Sequence, residues 1–155
     1  MTASNHMLTG AVIAAAVREP LLVVPLAVLS HFILDAFPHF GVAESDTKER
    51  NNHPLFRAVL TLDLLVLFAA LILVPIIFSG HVAWWVLLLG MVSAYIPDVV
   101  WLAHFYHDKK GHTRKPPMRL TRFHQKIQWF ERPPGIVTEI IWFGGSLAIL
   151  AAIAA

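Results

Sequence analysis

Cysteine is absent from the 155 residues. Disulfides, thiolate metal sites and cysteine nucleophiles are therefore excluded, and any metal site must use histidine and carboxylates. Charge is scarce as well: Asp, Glu, Lys and Arg make up 14% of the chain against 57% hydrophobic residues. That is too little charge to solvate a soluble domain of this length. A basic segment before the first apolar run is missing too. The opening Met1-Thr2-Ala3-Ser4-Asn5-His6 has no Lys or Arg, so no cleaved signal peptide is expected. No internal repeat or low-complexity tract is evident.

What the chain has instead is apolar length, with a mean hydropathy of +0.63. Five apolar runs occupy about residues 7–17, 21–37, 58–78, 82–105 and 136–155. A membrane span needs roughly 20 residues, so the first two runs read as short helices in a hairpin or as one broken span. The expected fold is one all-α polytopic membrane domain over 1–155, with about four or five transmembrane or half-membrane helices. Between the fourth and fifth runs lies a basic segment holding Lys109, Lys110, Arg114, Lys115, Arg119, Arg122, Lys126 and Arg132, eight of the chain's 12 basic residues. Within it Leu120, Phe123, His124, Ile127 and Phe130 recur at helical spacing, which predicts an amphipathic helix over about 118–131 lying on the membrane surface. The positive-inside rule puts this segment on the cytoplasmic face of the cell (inner) membrane. Anionic lipid headgroups are the expected partners of its basic residues, Arg119 and Arg122 foremost, and no nucleic-acid partner is expected.

On that topology the ionisable residues gather on one side. Ser30-His31-Phe32-Ile33-Leu34-Asp35 sets an imidazole and a carboxylate one helical turn apart at the end of an apolar run, followed by His39. Such groups are costly in lipid unless paired, neutralised or bound to a metal. Asp63, Asp98, Glu139, His124 and His6 fall at the same level, and the outer half offers only His81, Arg18 and Glu19. Histidine and carboxylate together suit zinc first, with manganese or iron as alternatives, as one or two ions. In that scheme His6, His31, Asp35, His39, Asp98 and His124 are the candidate ligands. Asp63 and Glu139 are candidate general bases or further ligands, and Arg119 and Arg122 candidate phosphate holders. His104 and His107 are reserve ligands at i, i+3 spacing. Plainer roles stand beside these: buried pairs that pin helices, helix caps, and interfacial histidines.

Asn5-His6-Met7-Leu8-Thr9-Gly10, the Ser30-His31-x3-Asp35 element with Pro38-His39, and Ile96-Pro97-Asp98 resemble the small bacterial membrane-bound metal-dependent hydrolases. That family is regarded as distantly similar to zinc-dependent phospholipase C. The resemblance implies His6, His31, Asp35 and Asp98 as metal ligands. A His-Arg-Gly-x-Thr-His-Ser segment is missing, and Arg122-Phe123-His124-Gln125 is the candidate replacement. The expected function is hydrolysis of a phosphoester in a lipid or lipid-linked substrate at the cytoplasmic membrane face. The alternatives are divalent-cation or proton transport, and a structural membrane protein with a buried polar cluster.

Overall fold

In the computed structural model of the chain, the described residues are 1–42, 52–109 and 119–155. The polar stretch at 43–51 and the part of the basic segment at 110–118, with His112, lie outside them, as do the side chains of His104 and His107. The described residues form six α-helices and no strand: α1 Ala3–Val17, α2 Pro20–Asp35, α3 Pro54–Phe78, α4 Trp84–Lys109, α5 Arg119–Ile127 and α6 Ile136–Ala154. A 3₁₀ turn, Pro133–Gly135, leads into α6.

The first two apolar runs are separate helices. Arg18 closes α1 in the left-handed region at φ 60°, its N–H donating to Ala14 O, and Glu19 then caps α2 ahead of Pro20. α1 also starts earlier than its apolar run, at Ala3 rather than residue 7, which takes Ser4, Asn5 and His6 into the helix. These polar residues are buried and helical because other helices satisfy the start of α1, as described below.

α1 is the central helix and packs against α2, α3, α4 and α6. Its closest neighbour is α4. A Cβ on Gly10 would lie 2.2 Å from Gly90 O, and one on Gly90 would lie 2.4 Å from Gly10 O. The two backbones therefore touch at a paired-glycine crossing that no side chain can occupy. Around it Met7, Leu8, Ala11, Ala14, Leu87, Met91 and Leu150 make a dry core. Trp142 on α6 donates to Thr9 Oγ1 at 2.8 Å and ties the last helix to the first.

Beside this apolar core the bundle buries polar groups at one end and exposes large apolar side chains along its flanks. Asn5, His6, His31, Asp35, Asp63 and Glu139 are buried, while Leu21, Leu62, Leu65, Phe68, Ile72, Ile76, Ile140 and Ile141 are exposed. An apolar surface on this scale is what a lipid-facing exterior requires. By length and composition two stretches, Pro54–Phe78 and Pro133–Ala154, suffice to cross a membrane, and Ala3–Val17, Pro20–Asp35 and Trp84–Val99 are shorter apolar helices.

Candidate metal centre

The buried polar residues sit at one end of the bundle, around Asp35 at the C-terminus of α2. His31, one turn earlier on the same face, donates from Nδ1 to Ala94 O on α4 at 2.8 Å. That bond places the ring proton on Nδ1 and leaves Nε2 as a lone pair pointing into the cluster.

Four side chains from three helices meet here. His31 and Asp35 come from α2, Asp98 from α4 and His124 from α5, and one ligand atom of each lies within 4.8 Å of all the others. His31 Nε2 is 3.3 Å from Asp35 Oδ2, 3.8 Å from Asp98 Oδ1 and 3.2 Å from His124 Nε2. His124 Nε2 is 2.5 Å from Asp35 Oδ2. Two imidazole nitrogens and two carboxylates pointing inward on a shared space form a donor set able to hold a metal ion. The Nδ1 bond to Ala94 is the kind of outer contact that orients a metal-binding histidine.

Asp35 also faces the other way. Its Oδ1 meets His6 Nε2 at 3.0 Å and the Met1 amine at 2.5 Å. The His6 ring stacks on that of His31, with centroids 4.0 Å apart. His6 Nδ1 is buried with no hydrogen-bond partner among the described residues. His6 thus touches the group through Asp35, on the oxygen opposite to the one His124 uses.

Asp63 and Glu139 are placed differently. Asp63 accepts from the backbone N–H of Ala3 (2.9 Å) and Ser4 (3.0 Å). Glu139 accepts from Thr2 N and Oγ1, from Asn5 Nδ2 at 2.6 Å and from Phe40 N. The first N–H groups of a helix have no intrahelical acceptor, and here two carboxylates from distant helices supply it. Their oxygens are engaged with α1, outside the four-residue group.

His39 is buried beside the cluster, and its Nδ1–H donates to Phe37 O at 2.8 Å. Burial, reinforced by the nearby terminal amine, holds its imidazole below the ordinary value of 6.5. Backbone bonds on either side of it dock the chain that carries α5. His39 N donates to Phe130 O, Arg132 N donates to His39 O at 3.0 Å, and Gly41 N donates to Arg132 O. Gly135 completes the seam, because a Cβ there would fall 2.1 Å from the His39 carbonyl. Arg119 and Arg122 are exposed on α5.

The sequence reading overlooked Gln128, whose Nε2 lies 3.3 Å from both Asp35 Oδ2 and His124 Nε2. Its spacing of four from His124 was the available signal. Thr2 and Ser4 have no sequence signal beyond their position just ahead of an apolar run, and Asn5 stands in the motif quoted above without a role.

No family model, curated protein or solved structure matches the chain.

Proposed function

We propose that the chain is a polytopic protein of the cell membrane, with four or five of its helices in or partly in the bilayer, and that its His31–Asp35–Asp98–His124 group holds a divalent ion used to hydrolyse a phosphoester of a lipid or lipid-linked substrate at the cytoplasmic face. The observation that supports this most is the convergence of four ligand atoms from three helices within 4.8 Å. Zinc is the first candidate, and when bound it supplies Lewis acidity toward a phosphoryl oxygen and makes water acidic enough to act near neutral pH.

The protein's own groups have distinct parts in this scheme. His31 is oriented by Ala94 and Asp35 by His6, so the donors are arranged before an ion arrives. Asp98 keeps a quarter of its side chain exposed while His31, Asp35 and His124 are almost fully buried. It is therefore the carboxylate placed to meet an entering water and accept its proton. Asp63 and Glu139 hold the start of α1 and leave that proton to Asp98. In this reading Arg119 and Arg122, exposed on α5, attract anionic headgroups.

Transport fits less well. An ion path needs polar groups through the thickness of the bundle. Among the described residues, the end of the core away from Asp35 is lined by Ala14, Ala15, Val23, Val74, Val82 and Val86. The deciding experiment is elemental analysis of the purified full chain beside Asp35→Asn, with phosphoesterase activity followed on both. Stoichiometric zinc and activity in the wild type, both lost in the variant, are expected. Equal metal content in the two proteins would overturn the proposal.

A further inference from the structure

A cavity of about 290 Å³ runs from the cluster to the outer surface between α3 and α4. Its lining is polar at His39, Asp98, Gln128 and Glu131 and mostly apolar along α3, at Phe56, Val59, Leu60 and Leu64, with Asp63 set between the two leucines. Leu60 and Leu64 are 45% and 39% exposed, so the apolar end opens sideways onto the surface of a span-length helix. Asp98, the exposed member of the four-residue group, is where the cavity meets the donor atoms.

These features point to one class of occupant. Along Val59, Leu60 and Leu64 the wall is apolar, and the Asp63 oxygens between them are taken by the amides of Ala3 and Ser4, so burying a hydrocarbon chain there is favourable. The volume is at the lower end of the roughly 300–1,000 Å³ usual for ligand pockets, enough for one chain with a small head inside the bundle. The polar end requires a head that can reach a metal ion beside Asp98, and an oxyanion does so. We infer that this cavity seats a single hydrocarbon chain of an anionic phosphate amphiphile, with its phosphoryl group at Asp98 and the chain leaving between α3 and α4. This rests on the metal-site reading above for the head, and on the cavity alone for the chain.

The chain seat is also a ruler. Each buried methylene adds affinity, so binding rises with chain length until the cavity is full. Methyl, hexyl and decyl phosphate are the probes, titrated into the zinc-loaded full chain in neutral nanodiscs, with empty nanodiscs as the partition baseline. Above that baseline, decyl phosphate should bind at least about tenfold more tightly than methyl phosphate. Val59→Trp and Leu64→Trp fill the cavity from α3 without touching the four donor residues. Either should remove the chain-length gain while keeping zinc content and methyl phosphate affinity, and retained zinc certifies that the variant is folded.

The outcomes separate the two claims. Affinity independent of chain length, with zinc-dependent binding of methyl phosphate, overturns the chain seat and leaves the metal site standing. Methyl phosphate affinity that is unchanged on removal of zinc overturns the placement of the head and the reading it rests on, and a chain-length gain that persists without zinc keeps the seat. Wild-type binding of decyl phosphate by both tryptophan variants overturns the seat outright.

Discussion

Asp35 is the residue on which the most contacts depend. Both of its oxygens are used, one by His124, His31 and Gln128 and the other by His6 and the Met1 amine. Removing one partner of a buried charged pair leaves the others uncompensated, at about 3–5 kcal/mol. Asp35→Asn should therefore lower thermal stability sharply in detergent as well as abolish metal binding. Asp63→Asn is the contrasting case. It weakens a cap on the first turn of α1, a loss of about 1–2 kcal/mol, and should keep metal content unchanged. Melting curves and elemental analysis on the two variants side by side check both statements; a metal-free Asp63→Asn would contradict the assignment of that carboxylate to the helix. At this scale the sequence was informative about chemical type more than role. Carboxylates in apolar runs announced themselves by their cost, but Asp35 beside imidazoles and Asp63 beside backbone amides look alike in one dimension. What separates them is which atoms α1 presents, and that follows from packing.

The helices themselves were largely legible. Apolar runs and the amphipathic pattern of 118–131 lie within a few residues of the helices observed. The departures have local causes: α1 extends back to Ala3 because Asp63 and Glu139 complete its first turn, and α5 stops at Ile127 because the chain then pairs along His39. The close approach of α1 to α4 had no sequence signature beyond two isolated glycines. It carries a firm expectation: in Gly10→Ala the new methyl meets Gly90 O, a backbone atom, so the helices must separate. Overpacking of this kind costs about 1–3 kcal/mol, readable as a lower melting temperature. α5 is held differently, by its seam with His39, by Trp129 donating to Ala36 O at 3.0 Å, and by Gln128. Gln128→Ala removes an amide donor held against Asp35 Oδ2 and His124 Nε2, the atoms that face the ion site. An ion has to displace that donor, so zinc affinity should hold or rise in the variant, while the metal-free protein, short of a hydrogen bond worth about 1 kcal/mol, should melt slightly lower. Zinc titration against a chelator measures it.

For the molecule as a whole, stability should depend on pH through His39. Its proton affinity is held below the ordinary 6.5 by burial, so the unfolded chain takes up a proton that the folded chain resists. The stabilisation is complete above pH 6.5 and is lost progressively as pH falls below it. Between about pH 7.5 and about pH 5, wild type should lose more stability than His39→Gln; parallel losses would remove His39 as a source. The apolar exterior of the molecule, around a polar end, was the part most plainly written in the composition. The long-range closure of that polar end was not, because Thr2 and Asn5 find their acceptor on Glu139, 137 and 134 positions away. This closure bears on how the protein is made. Synthesis delivers α1 before α6, so the helix at the centre of the bundle waits for α6 before its opening turn is fully satisfied. The nascent chain must therefore carry Asn5 and the first amides of α1 unsealed, held by water or a chaperoning surface, until Glu139 arrives.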